Sequence, residues 1–311
     1  MEMVKVVGLF ILGLVLICVG GDKLVDAGVA IARKLGIPQI VVGATIVSLG
    51  TTLPEVLVST TAALQGSVEI TAGNSLGSII CNTTLIAGLA QLIRPTAKVE
   101  TKPLKWRAAC FFGVMIIVNI VAAVMGKLTL IPGICLILGF IVYAYLNVKF
   151  PGEEDEEEEK PEGNLVMPFI MLAISAVALY FGAKFLVDNG VIIAEALGVP
   201  ERIIAVTFIA LGTSLPELMT SIASLVKGYG NVGIGNILGA NLLDLLLVLG
   251  IPAAIRGYGV ARETWMIDMP LGLAVMALLF VPILIKKRGY RWQGALLVLI
   301  YVGYCAFSFI K

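Results

Sequence analysis

Apolar runs long enough to cross a bilayer, which takes about 20 residues in a helix, follow one another along the whole chain, each closed by a short charged or turn-forming cluster. The pattern predicts ten spanning helices, at 4–20, 39–64, 70–92, 104–126, 129–148, 165–186, 201–226, 232–253, 264–285 and 291–310. Lys5 precedes the first apolar stretch much as a charge precedes the core of a signal peptide. That stretch belongs to the internal repeat described below, which argues against cleavage. Between the fifth and sixth runs lies Pro151 to Gly163, dominated by Glu and Asp. Like charges in such a run repel one another and stay solvated, so the segment reads as a linker, with weak collection of cations as its other use.

Composition fixes the class. Of 311 residues, 59% are hydrophobic and 14% charged, against ~25% charged in a soluble domain. The expected fold is therefore an all-α integral membrane protein. A net charge of +1 leaves no footprint for nucleic acid. His is absent, which removes the commonest transition-metal ligand and the side chain that titrates near neutrality. The five Cys have no CxxC spacing and read as small buried hydrophobes. Of the 22 Lys and Arg, fifteen fall on the side of the acidic linker and seven on the other. Positive charge collects in the cytoplasm, so the linker is expected there and both termini outside, in a protein of the cell membrane.

The chain repeats itself at an offset of 162. Leu24-Val25-Asp26 returns as Leu186-Val187-Asp188, Leu35-Gly36 as Leu197-Gly198, and Gly73-Asn74 as Gly235-Asn236. The match fades after the third span. Each half holds five spans, an odd number, so the second enters the membrane upside down. This is the inverted-repeat plan of secondary transporters, whose sites lie near the midplane between the repeats. It divides the chain into a first five-helix repeat at 1–148, a linker at 149–164 and a second, inverted repeat at 165–311.

The repeat carries acids. Gly50-Thr51-Thr52-Leu53-Pro54-Glu55 returns as Gly212-Thr213-Ser214-Leu215-Pro216-Glu217. A carboxylate at membrane depth costs ~2.5 kcal/mol or more on insertion scales. Each Pro frees the carbonyl four residues earlier, at Gly50 and Gly212, and such carbonyls are tolerated only where they face protein or water. A proline kink with Ser and Thr is by itself an ordinary structural feature. The Glu residues change the reading, because no Lys or Arg occurs from Leu35 to Ile93 or from Ile203 to Val226. Carboxylate, carbonyl and hydroxyl oxygens together are what a hard cation such as Ca²⁺ takes. Spans three and eight add Gly73 to Asn82 and Gly235 to Asp244. Ser78 and Asn82 share one helix face, as do Ala240 and Asp244, while the glycines read as close-packing positions. Asp244, a third acid at depth, stands where the first half has Asn82. Three carboxylates can bind one Ca²⁺, several Na⁺, or protons in part. Asp268, near the start of span nine, is expected at the membrane interface.

These paired motifs resemble the two alpha repeats of the cation/Ca²⁺ exchanger superfamily, specifically its prokaryotic Na⁺/Ca²⁺ exchanger branch. Proton-coupled members typically carry a different, Gly-Asn-rich motif around the same Glu. The resemblance implies that Glu55 and Glu217 share Ca²⁺ with the backbone carbonyls of Thr51 and Thr213. It implies Na⁺ sites built by the same Glu residues with Thr51, Thr52, Ser78, Thr213 and Ser214, and with carbonyls near Ser48 and Ala210. Asn82 and Asp244 would complete the centre, with Asp244 able to hold a proton while an ion is bound. The chain departs from the family at Ala240, where the second repeat usually has Ser, so one hydroxyl is missing from a Na⁺ site.

The resulting expectation is a secondary antiporter that extrudes Ca²⁺ against Na⁺ by alternating access, works as a monomer and needs no cofactor. Exchange against protons, or K⁺-dependent Na⁺/Ca²⁺ exchange, are the alternatives on the same scaffold. A cation channel would build its filter from several subunits, whereas one chain here supplies both halves. Enzyme chemistry is not expected: there is no His, no HExxH motif, and the acids are unlike a paired-aspartate protease.

Overall fold

A computed structural model describes residues 2–65, 69–96, 99, 101–150, 164–198 and 212–310. Its helices are α1 (Glu2–Leu35), α2 (Gln39–Gln65), α3 (Thr71–Ile93), α4 (Thr101–Met125), α5 (Leu130–Lys149), α6 (Val166–Ala196), α7 (Leu215–Lys227), α8 (Gly230–Ile255), α9 (Thr264–Lys286) and α10 (Arg291–Ile310). Among the described residues, eight candidate spans are long and apolar enough to cross a membrane; α7 and α10 are not among them. The expected seventh span, 201–226, falls partly outside the described residues, as does the acidic run 151–163. Two short strands, β1 (Lys127–Leu128) and β2 (Tyr258–Gly259), pair antiparallel and tie the α4–α5 turn to the α8–α9 turn.

α1 runs fifteen residues past its expected end at 20. Asp22, Lys23 and Asp26 lowered the hydropathy there, yet Leu24, Val25 and Ile31 on the same stretch are fully buried. The acids are engaged instead by Lys227 at the end of α7, at 2.6 Å from both Asp22 Oδ1 and Asp26 Oδ1. α1 stops at Gly36, which takes φ 64°. There the Gly36 N–H donates to Arg33 O and the Ile37 N–H to Ala32 O, the Schellman closure that favours Gly. Gly198, 162 residues on, takes φ 75° and donates to Glu195 O.

The buried apolar side chains form two clusters. The larger draws on α3, α4, α8 and α9. The smaller joins α1 and α6 to the start of α2 and to α7. The outer faces of α1 and α6 are apolar and exposed, with Ile11, Val15 and Val19 on one and Ile174, Val177 and Phe181 on the other, as a lipid-facing surface must be.

α2 crosses α8 with backbones nearly in contact. A side chain on Gly43 would run into Val232 O, and one on Gly235 into Ile40 O. One turn further on, a Cβ on Gly239 would lie 2.5 Å from Ser48 Oγ and 2.6 Å from Ala44 O. Helices approach this closely only through small residues.

Two sequence readings are corrected. Only Cys81 is a buried thiol; Cys18 and Cys135 are exposed, and Cys110 and Cys305 half-buried. A thiol is apolar enough to sit on an outer surface that is itself apolar. Arg107, counted among the linker-side surface charges, is fully buried, its Nε donating to Asn147 Oδ1 at 2.7 Å and its Nη1 to Pro103 O at 2.6 Å. Asn147 donates to Tyr143 O, and the Tyr143 hydroxyl to Ala44 O at 2.7 Å, so this chain of bonds ends on α2.

Candidate ion-binding site

On α2 the positions 48, 51, 52 and 55 fall three and four apart and so share one face. Ser48, Thr51, Thr52 and Glu55 are all buried, Glu55 at 1% exposure. Pro54 sits inside this helix, which continues past it. In α7 the same motif behaves differently. Thr213 and Ser214 form a turn, and the helix begins at Leu215 with Pro216 in its first positions. Proline suits a helix start because its missing N–H would have no partner there. Glu217 thereby enters the first turn, where the helix dipole favours a negative charge, and it too is 1% exposed.

α3 and α8 cross between these two segments. Each changes from α to a one-turn π-helix at the expected polar residue: Asn82 opens one at Asn82–Ile86, and Asp244 one at Asp244–Val248. Such turns break the regular ladder and occur often at functional sites. Ser75 on α3 donates to the Asp244 carbonyl at 2.8 Å, joining the two crossing helices.

The side-chain bonds run between the halves. Thr51 donates to Asn236 Oδ1 at 3.3 Å, and Thr213 to Asn74 Oδ1 at 3.4 Å. Thr52 Oγ1 lies 3.4 Å from Glu217 Oε1. Asn74 also donates to Glu55 O at 3.3 Å and to Ser59 Oγ at 3.0 Å. Against these bonds stand seven buried side-chain oxygens without a partner: Glu55 Oε1 and Oε2, Glu217 Oε2, Ser214 Oγ, Asn82 Oδ1, and Asp244 Oδ1 and Oδ2. Glu217 and Asp244 both act electrostatically on Glu55, and Glu217 on Asp244. Among the described residues no Lys or Arg pairs with any of the three.

Buried charge without a partner is costly, so a set of acceptors this rich calls for cations. Among the described residues no three acidic, Cys or His side chains close on one point. An ion held here must therefore draw on hydroxyl, amide or carbonyl oxygens as well, as Ca²⁺ readily does.

The structure brings Ser48, Thr51, Thr52, Glu55, Asn82, Ser214, Glu217 and Asp244 into the buried interior, with Ser78 at 4% exposure and Thr213 half-buried. Ala210 lies outside the described residues. Asn82 and Asp244 do not bond to each other. The Asn82 amide donates to Asn241 Oδ1 at 3.2 Å, and Asn241 donates to Thr83 Oγ1 at 2.8 Å. Asp268 is half-buried and accepts from the Tyr304 hydroxyl at 3.2 Å. Asn74, Asn236 and Asn241 were not singled out from the sequence. The first two were legible as the polar member of a repeated Gly-Asn pair.

Residues 5–149 and 167–310 match the protein family described as sodium/calcium exchanger protein. The inner membrane protein YrbG of Escherichia coli K12 is 35% identical over 267 residues, covering 81% of each chain. The sodium/calcium exchanger MaX1 of Methanosarcina acetivorans is 29% identical, with 97% of each chain covered. The solved structure of the sodium-calcium exchanger NCX_Mj, soaked with 2.5 mM Na⁺ and 10 mM Sr²⁺, overlays with a TM-score of 0.86 at 30% identity, covering 98% of this chain and 99% of that one.

Proposed function

Because this chain belongs to the sodium/calcium exchanger protein family and is a Na⁺/Ca²⁺ antiporter, we propose that its three buried carboxyls bind the two cargo ions in turn. Glu55 and Glu217 are the shared ligands. Asp244, Asn82, Ser214, Thr51, Thr52, Thr213, Ser78 and the backbone near Ser48 and Ala210 complete the Na⁺ and Ca²⁺ sites between them. The observation that carries this reading is the group of seven partnerless oxygens on five residues, drawn from both halves of the chain.

Exchange follows from competition. An empty site would carry several uncompensated negative charges across the apolar middle of the membrane, which the low dielectric forbids. The carrier therefore turns over only when Na⁺ or Ca²⁺ neutralises it, and each ion drives the other off. Exchange against protons or with K⁺ is not favoured: MaX1 and NCX_Mj, each matched along nearly the whole chain, are sodium/calcium exchangers.

In this reading the chain is ten spans in two inverted five-helix repeats, 1–148 and 165–311, joined by the cytoplasmic linker 149–164. Both termini lie outside the cell membrane, Ca²⁺ is extruded, and one chain suffices. Two features support it: the reciprocal pairs Thr51–Asn236 and Thr213–Asn74, and the closures at Gly36 and Gly198. Alternating access is assigned to α1 and α6, which hold a hydrophobic cluster of their own and slide against the tightly crossed α2–α8 core.

The test is uptake of radioactive Ca²⁺ into proteoliposomes loaded with Na⁺ and diluted into Na⁺-free buffer at clamped pH. Uptake that requires internal Na⁺ and carries current is expected. Uptake that ignores Na⁺ and follows an imposed pH gradient instead would overturn the assignment of the counter-ion.

A further inference from the structure

On the face where α5 ends and α6 begins, a cavity of about 90 Å³ opens between the end of α3 and one side of α7. Gln91, Arg94 and Thr96 wall it on one side, Ser221 and Ser224 on another, and Gly233 of α8 closes it behind. That volume has room for several waters. Ser221 is 4% exposed and Ser224 fully buried, yet neither hydroxyl has a hydrogen-bond partner. Thr220, one turn beyond Glu217, is buried and partnerless in the same way.

A Ser or Thr inside a helix ordinarily turns its hydroxyl onto the carbonyl four residues back. Thr45 does so onto Val41 O and Thr83 onto Ile79 O, both at 2.7 Å. Thr220, Ser221 and Ser224 do not. Positions 217, 220, 221 and 224 follow one face of the helix. That face leads from the binding-site carboxyl of Glu217, past three free hydroxyls, to the cavity and its mouth. The matching face of α2 is unlike it. Val58 and Ala62 stand where α7 has Thr220 and Ser224, and Ser59 already accepts from Asn74.

We propose that this cavity, with Thr220, Ser221 and Ser224, is a transit site that carries partly hydrated Na⁺ or Ca²⁺ between Glu217 and the solution on the linker side. The proposal rests on the antiporter reading above. Hydroxyl lone pairs replace part of an ion's hydration shell, and the remaining waters fit in the cavity. Neutral ligands hold the ion weakly, as passage requires, since an ion must leave as readily as it enters. Arg94 spans the mouth, its Nη1 donating to Leu225 O at 3.1 Å. Held there, it narrows the opening and keeps its charge turned toward α7.

The experiment is side-specific labelling of Ser224→Cys and Ser221→Cys in proteoliposomes by a membrane-impermeant cationic thiol reagent, read against the parent chain with its own five Cys. With reagent on the linker side, Ser224→Cys should react about tenfold faster than the parent, since the cavity gives a water-soluble cationic reagent a route to it, whereas the parent's exposed Cys18 and Cys135 lie on the apolar outer surface. Saturating Ca²⁺ or Na⁺ should slow the reaction, and labelling should stop exchange. Labelling from the opposite side only, or from neither side in a variant that exchanges at the parental rate, overturns the proposal. Gly233→Ala supplies a second test, because its Cβ would stand 3.3 Å from that of Ser224 and narrow the cavity. Exchange should slow severalfold with half-saturating Ca²⁺ unchanged; an unchanged rate counts against a route through this cavity. A parent chain without Na⁺-driven Ca²⁺ uptake fails the antiporter reading itself. A parent that exchanges while Ser224→Cys stays unlabelled fails the transit site alone.

Discussion

The Thr51 hydroxyl donates to Asn236 Oδ1, and the bond from Thr213 to Asn74 repeats it with the two halves exchanged. Each half thus supplies the partner for the other's hydroxyl. Glu55 and Glu217 are held at the centre of this exchange with three of their four carboxyl oxygens unbonded.

Glu55→Gln or Glu217→Gln should reduce Ca²⁺ transport to background. Loss of one member of a buried charge pair costs about 3 kcal/mol or more, roughly a hundredfold, and the pair here is carboxylate and ion. Radioactive Ca²⁺ uptake at several Ca²⁺ concentrations checks it. Either variant transporting at the parental rate would sink the assignment of the ligands.

Ala240→Ser restores the hydroxyl that the second half lacks beside Gly239. Ala240 is fully buried, so the added oxygen has no competing solvent. A neutral hydrogen-bonding group contributes about 1 kcal/mol, which corresponds to a roughly fivefold lower half-saturating Na⁺ concentration. An unchanged Na⁺ dependence would mean that position 240 does not face a Na⁺ ion.

Gly239→Ala pushes a methyl group against Ser48 Oγ and the Ala44 carbonyl. Overpacking of this kind costs about 1–3 kcal/mol, and here the strain falls on the α2 segment that holds Thr51, Thr52 and Glu55. Thermal unfolding in detergent should shift down and ion affinity should fall with it. A variant with parental stability and affinity would show that the α2–α8 crossing yields easily.

Lys227→Met removes the ion pairs to Asp22 and Asp26 that tie α7 to α1. The pair is partly exposed, with side-chain exposures of 22%, 44% and 40%, so its worth is about 1 kcal/mol or less. In the first half, Gln65 stands at the position equivalent to Lys227. Loss of Lys227 should therefore favour opening on the linker side, seen as faster labelling of Ser224→Cys from that side. Slower labelling would mean that the pair holds the open state.

Much of the fold could be read from hydropathy, because a bilayer imposes helix length. α1 escaped this logic. Its last fifteen residues are charged on one face, but the other face packs into protein, and hydropathy averages the two. The carboxyls of the site were legible because acids are rare at depth. Asn74 and Asn236 were legible only as the polar members of a repeated Gly-Asn pair: they lie in Gly-rich stretches whose evident use is close packing, and only the crossing of the helices shows that they reach the opposite half. The free hydroxyls of Thr220, Ser221 and Ser224 were hidden for a related reason, since a sequence does not say where a hydroxyl points.

The π-turns at Asn82 and Asp244 decide which way the far ends of α3 and α8 face. Each opens at the same offset of 162 that relates the other motifs. An extra residue in a turn rotates everything beyond it by about 100° relative to an uninterrupted helix, so neither helix could lose it without turning its far end onto a different neighbour. One position is an amide and the other an acid, yet the surplus residue stands in both, so the far ends of α3 and α8 are turned alike whatever charge the turn carries.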